Sequence, residues 1–194
     1  FIEKTYNSDV RRAVIDREKR ILNGKYSKFI VCPIEIKGDA AHLKLCIPYI
    51  PLENIDSLMQ QMRPDEYENK VRFSLVDKIV IITEIAMAMR DLHSYNEYHG
   101  NLSSQSVFIS SKLDCYIGSI CYDRLLEANT TKSPDPFYYR SPEIHSIENS
   151  VESNKLKDKD DDYVETEEHI KQEQKNDIYS FGVLVHEIFT EVSP

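Results

Sequence analysis

From Phe73 to Ser94 the chain runs without a proline or glycine, and Val76, Ile79, Val80, Ile82, Ile85, Ala86, Met89 and Leu92 recur at helical spacing. A stripe that wide is stable only against other apolar surface, so this helix belongs in the core and the rest of the chain must fold around it. A second run, Asp177 to Thr190, carries Ile178, Phe181, Val183, Leu184, Val185, Ile188 and Phe189 nearly all round its helix, which predicts burial. Between the two, Ser146 to Asn176 holds ten acidic and five basic residues and little that is apolar. Such a stretch buries too little surface to offset the entropy of ordering it, so residues 146–176 read as a disordered acidic insertion. Lying between buried elements, it interrupts one domain and does not link two.

The remaining elements are shorter. Asp9 to Asn23 places Val10, Ala13, Val14, Ile21 and Leu22 among charged residues, with Ser8 or Asp9 as cap and Asn23-Gly24 as stop, and reads as an amphipathic helix. Phe29 to Ile36 and His42 to Ile50 are β-rich runs on either side of Lys37-Gly38-Asp39, which predicts two strands and a tight turn. Ile55 to Met62 is a short helix. Val107 to Ile109 and Cys115 to Ile117, with Ser110-Ser111-Lys112 between them, form a hairpin pattern. Tyr122 to Tyr139 has neither period, contains Pro134 and Pro136, and reads as a loop.

Charge narrows the function classes. With 24 Lys+Arg against 33 Asp+Glu the net charge is -9, so the chain has no general attraction for nucleic acid or an anionic membrane, and basic protein partners suit it better. The apolar run around Ile79 to Ile82 is far short of the roughly 20 residues that span a bilayer, and no charged-then-apolar leader opens the sequence. Cys32, Cys46, Cys115 and Cys121 form no Cys-x-x-Cys pair and sit among apolar neighbours or tyrosine, as buried thiols in a reducing compartment do; a Cys115–Cys121 bridge is the alternative. These features describe a soluble cytoplasmic protein. A start at Phe1 without an initiator Met and a stop at Ser193-Pro194 suggest a piece of something longer.

Four strings then occur in order. Arg17-Glu18-Lys19-Arg20-Ile21-Leu22 resembles the first-helix R-E-x-x-x-L of protein kinases, and Leu92-His93-Ser94 followed by Tyr98-His99-Gly100-Asn101-Leu102 resembles L-H-S-x-x-x-x-H-R-D-L. Tyr139-Arg140-Ser141-Pro142-Glu143 resembles the Y-x-A-P-E that closes an activation loop. Asn176-Asp177-Ile178-Tyr179-Ser180-Phe181-Gly182-Val183-Leu184 resembles D-x-[WY]-S-[FL]-G-V, the most specific of the four. The phrasing is closest to the tyrosine-kinase-like group and to pseudokinases of the Janus and mixed-lineage-kinase-domain-like families. The fold implied is α+β, an incomplete protein kinase-like fold, with residues 1–50 as the remainder of the N-lobe and hinge and 51–194 as a C-lobe portion.

Phosphoryl transfer in that fold needs a carboxylate to orient the attacking hydroxyl and oxygen ligands for magnesium. By the resemblance the catalytic Asp position is Asn101, the following Lys position is Ser103, the metal-binding Asn position is Ser106, and the Asp-Phe-Gly triplet aligns with Ser119-Ile120-Cys121. Neutral oxygens on short side chains replace both carboxylates, so no metal site is expected. The glycine-rich loop has no counterpart, and the nucleotide-binding Lys is either missing or replaced by Lys4, fourteen residues before Glu18. The implied hinge is Ile47-Pro48-Tyr49-Ile50, with Ile47 as gatekeeper and the Ile50 N–H as donor. Phe108 stands where an aliphatic residue would lie beneath an adenine, so ATP binding is expected to be weak or absent.

The residues implied by the resemblance to keep the fold are His99, Pro142, Glu143, Asp177 and Gly182, with the Asp177 side chain tying down the loop around His99. Some have a plainer reading: a turn for His99-Gly100-Asn101, a packed core histidine for His99, an N-cap for Asp177 and a surface charge for Glu143, as also for Glu18. The expectation is a catalytically inactive kinase-like domain, without a cofactor, acting in signalling as a scaffold or allosteric regulator of an active kinase or another protein. A divergent kinase with unusual ATP-dependent transfer is the alternative; a non-kinase helical interaction protein requires every match to be accidental. Thr130, Thr131, Ser133, Tyr138 and Tyr139 are loop hydroxyls open to phosphorylation, or simply solvated.

Overall fold

The computed structural model describes residues 2–6, 20, 28–31, 35–38, 43–47, 53–62, 73–110, 112–118, 137–143 and 166–192. Strands β1 (Ile2–Tyr6), β2 (Glu35–Gly38) and β3 (Leu43–Ile47) form an antiparallel sheet in the order β1-β3-β2. Its register sets Lys4 opposite Leu45 and Glu35 opposite Cys46. A second sheet runs β4 (Glu53–Asn54), β5 (Val107–Ile109), β6 (Cys115–Ile117), all neighbours antiparallel, with Phe108 between Asn54 and Tyr116. The helices are α1 (Ile55–Met62), α2 (Leu75–Ser94) and α3 (Glu167–Thr190).

The core lies where α2, α3 and the second sheet meet. Ile81, Ile85, Ala88, Met89 and Leu92 from α2 pack with Val107, Ile109, Cys115 and Ile117 from one face of the sheet and Leu184 and Ile188 from α3. Full burial of aliphatic side chains of this kind stabilises by about 1.5–3 kcal/mol each. Helix α2 starts at a capping box, in which Asp77 N–H donates to Ser74 Oγ (3.2 Å) and Ser74 N–H donates to Asp77 Oδ2 (2.8 Å). Those Ser74 hydrogen bonds hold the Asp77 carboxyl below the usual carboxylate range. Lys78 pairs with Glu191 at 2.7 Å and donates to Phe189 O, tying the first turn of α2 to the end of α3.

Several expectations change. Residues 167–176, read as disordered, are the first ten residues of α3, whose N-cap is Thr166, its Oγ1 accepting from His169 N–H at 3.2 Å. Glu, Lys and Gln are good helix formers, Lys171 meets Glu167 one turn back, and a helix already nucleated by its packed half extends at low cost. Asp177 therefore lies inside the helix and is not its cap. Neither long helix is covered all round: Val76, Ile79 and Val80 of α2 and Ile178, Tyr179 and Phe189 of α3 are exposed.

Phe29 to Ile36 is not one strand. Ile30 makes a parallel bridge to Ile117, with Phe29 O and Val31 N–H bonded to Ile117 at 2.8 Å each, and the strand begins only at Glu35. Lys37 and Gly38 lie in β2 and not in a turn. Phe137–Tyr139, at the end of the predicted loop, is a 3-10 turn. Helix α1 and the β5–β6 hairpin stand where the pattern put them. Of the Asp9 to Asn23 helix only Arg20 is described, and it is helical. Cys46 and Cys115 are buried free thiols, so the Cys115 bridge is not formed; Cys32 and Cys121 lie outside the described residues.

Candidate functional site

The buried residues of α3 repeat at helical spacing, yet the first four of them are polar: Glu173, Asn176, Asp177 and Ser180, followed by Leu184. Buried polar groups must find partners, and here the partners belong to two loops far away in sequence. The Asp177 carboxylate, fully buried, accepts from His99 N–H (2.7 Å) and Gly100 N–H (2.8 Å), and His93 Nε2 lies 2.9 Å from its Oδ2. Asn176 Oδ1 accepts from Ser141 N–H (2.8 Å), and Ser180 Oγ donates to Tyr139 O (2.6 Å). One face of one helix thus holds both the His99 loop and the Tyr139–Pro142 segment. The two loops also touch directly, since Tyr139 Oη lies 3.2 Å from Ser104 Oγ.

The approach to His99 follows from the end of α2. Asn96, at φ 55, reverses the chain, a conformation Asn tolerates, and Asn96 N–H and Glu97 N–H bond back to His93 O and Leu92 O. Glu97 is then buried, its carboxylate 2.8 Å from Arg20 Nε, and its carbonyl accepts from Gln174 Nε2 (3.0 Å). Gly100 has φ 77, where a Cβ is strained, so a glycine suits this backbone.

His99 has both ring nitrogens engaged. Gly118 O can only accept, so Nε2 at 3.0 Å carries the proton; Asn101 N–H can only donate, so Nδ1 at 3.2 Å accepts it. Beyond Asn101 the loop closes on itself. Ser106 Oγ accepts from Ser103 N–H (2.9 Å) and donates to Ser103 O (3.0 Å), while Ser106 N–H also reaches Ser103 O. Both serines are buried. Gly118 N–H donates to Ser106 O (2.8 Å), which joins the loop to the end of β6 directly before Ser119.

The predicted site residues are therefore placed unevenly. His99, Asn101, Ser103, Ser106 and Asp177 converge, and Phe108 lies beside them on β5. Ile47 ends β3, Pro142 and Glu143 are exposed and helical directly after Ser141, and Gly182 sits on α3 with no described atom within 4 Å of a Cβ built there. Glu18, Ile50 and Ser119 lie outside the described residues. Sequence reasoning quoted Asn176 and Ser180 but did not see them as anchors; polar residues at core spacing on an otherwise apolar helix were the available signal. Tyr139 belongs to the tie as well, since it is buried while Tyr138 is exposed.

Among the described residues no group of three or more His, Cys, Asp or Glu is arranged to hold a metal ion. Asp114 lies in the β5–β6 turn, bonded to Ser110 through N–H, O and carboxylate. The Cys115 thiol is pushed well up by burial and, secondarily, by Glu84, whose carboxylate accepts from Cys115 N–H at 2.7 Å. A thiol so placed stays protonated and is no nucleophile. No described helix is long and apolar enough to cross a membrane.

Two packed helices beside a small sheet, with a buried helical Asp holding a His-Gly-Asn loop, define a kinase-like arrangement. The sequence model of the family described as protein tyrosine and serine/threonine kinase matches residues 2–194, and the chain belongs to that family. Among curated proteins no match to it is found.

Proposed function

We propose that this chain is a catalytically inactive member of the kinase family, a pseudokinase that works in signalling by binding protein partners as a scaffold or allosteric regulator. The observation that carries this reading is the state of Ser106. Its hydroxyl, at the position where the family holds magnesium, is buried and engaged on both sides by the backbone of Ser103. A side chain committed in that way is a poor ligand for a hard dication, and Asn101 beside it lacks a carboxylate to take a proton. His99, Gly100 and Asp177, by contrast, keep a full set of hydrogen bonds. Selection for a folded binding domain produces such a pattern without any requirement for transfer.

The degenerate residues Asn101, Ser103, Ser106 and Ser119 are on this reading bystanders to chemistry, and no cofactor is needed. One observation favours the alternative of a divergent kinase: Lys4 lies on a strand hydrogen-bonded to β3, as a nucleotide-binding Lys would. A phosphotransfer assay with ATP and magnesium separates the two. Transfer at background, with no magnesium-dependent rise in melting temperature on adding ATP, is expected; saturable transfer well above background overturns the proposal.

A further inference from the structure

Helix α2 carries a second apolar row, on the side turned away from the core. At 3.6 residues per turn Val76, Val80, Thr83 and Met87 fall on one line, with Leu75 and Ile79 beside it, over about 18 Å of helix. The exposure is substantial: Val76 is 68%, Leu75 63% and Ile79 50% exposed, with Val80 and Met87 at 41% and 40%. The inner face of the same helix, Ile81, Ile85, Ala88 and Leu92, is fully buried, so the outer row stands on a fixed support. An apolar row of this length on an anchored helix offers what a partner helix packs against.

One flank of the row is acidic along its whole length. Asp77, Glu84 and Asp91 recur every seven residues and so run alongside Val76, Val80 and Met87 on a single side. All three are half-buried. Asp77 and Glu84 each accept from a backbone N–H, that of Ser74 and of Cys115, which holds the carboxylates beside the row without cancelling their charge. Two copies of this face laid antiparallel would set acid against acid, and a nucleic acid or an anionic membrane meets the same repulsion. A helix with Lys or Arg along one side of an apolar row matches both features at once.

We infer that the outer face of α2 is a docking seam for a basic amphipathic helix of a partner protein, with Val76, Ile79, Val80 and Met87 receiving its apolar row and Asp77, Glu84 and Asp91 facing its Lys or Arg residues. This gives the protein-binding role proposed above a surface and a class of partner, and rests on that reading.

The probe is a fluorescein-labelled synthetic peptide of about four helical turns, with Leu at i, i+3, i+4 and i+7 spacing and Lys along one flank, followed by anisotropy against the full chain. A peptide with Glu for every Lys and a scrambled peptide of the same composition are the controls. The expected result is saturable binding of the ordered Lys peptide alone, weakening as salt rises. Val76→Ser with Val80→Ser weakens it about tenfold at an unchanged melting temperature, and Glu84→Gln with Asp91→Asn weakens it and flattens the salt dependence. Equal binding by parent and serine variant, or of ordered and scrambled peptides, means diffuse attraction to an acidic protein and overturns the seam, as does no binding by the parent. Self-association of the parent that the serine variant abolishes assigns the face to a second copy and overturns it likewise. If the double serine variant fails to fold, Val76→Ser alone, at the most exposed position, takes its place under the same criteria. Phosphotransfer by the parent well above background would remove the underlying reading; transfer at background with no peptide bound would remove the seam alone.

Discussion

The His99 loop is held in two different ways along its length. His99 and Gly100 are bonded to a carboxylate 77 or 78 residues away, inside a helix that also anchors Ser141 and Tyr139. Ser103 and Ser106, a few residues on, close a four-residue turn upon themselves, reached from the end of β6 through Gly118 N–H. The first half needs the rest of the fold to make sense, and the rest of the fold needs it. The second half has its Ser106 hydroxyl turned inward on Ser103. On the function proposed above, this contrast separates residues that assemble the domain from residues at positions where the chemistry has been lost.

The sharpest way to break the comparison is Asp177→Ala. It leaves two buried backbone N–H groups and His93 without their acceptor, and removing one partner from a buried charged network costs about 3–5 kcal/mol. Urea unfolding should show a loss of that size together with greater protease sensitivity at Tyr139–Ser141. A loss below about 1 kcal/mol would mean that the two loops are held by something other than α3. Asp177→Asn sharpens the result, because it keeps the shape while turning one acceptor into a donor that faces an N–H.

Ser106→Ala comes next. Ser103 N–H loses its acceptor in a buried turn, which costs about 1–3 kcal/mol, while phosphotransfer stays at background. A purely structural serine behaves that way in thermal unfolding. If stability were untouched and nucleotide or magnesium binding changed instead, the inward half of the loop would be a ligand site after all.

Much of this architecture was legible from the chain alone, and the misses share a cause. The hairpin and α1 follow from local pattern, whereas the His99–Asp177 relation, a contact 78 residues apart, comes only from a resemblance in short strings. Residues 167–176 differ from the disordered reading because a high charge content does not prevent burial of individual polar groups. Glu173 and Asn176 are buried all the same, and their segment is propagated from a helix half whose Leu184 and Ile188 are packed. The outer faces of α2 and α3 were misjudged in the opposite sense. Val76, Ile79 and Ile178 belong to broad apolar stripes, and periodicity does not say how much of a stripe a neighbour covers. That the Phe108 ring lies over Gly118 follows from the strand register, which no local pattern contains.

Asn101→Ala is the smallest expected effect. The hydrogen bond that Asn101 contributes to the loop is made by its backbone N–H to His99 Nδ1, and truncating the side chain leaves that bond in place. The side chain is only partly buried, so its loss should stay within about 0.5 kcal/mol in urea unfolding, and the phosphotransfer background should not move. Transfer above background by the parent that is lost in this variant would instead show that the amide positions a nucleophile, and the line between assembling and working residues would then have to be drawn beyond Asn101. Asn101→Asp alone is not expected to restore transfer, because on the proposed reading a carboxylate that orients a hydroxyl accomplishes nothing while the Ser106 hydroxyl remains closed on Ser103.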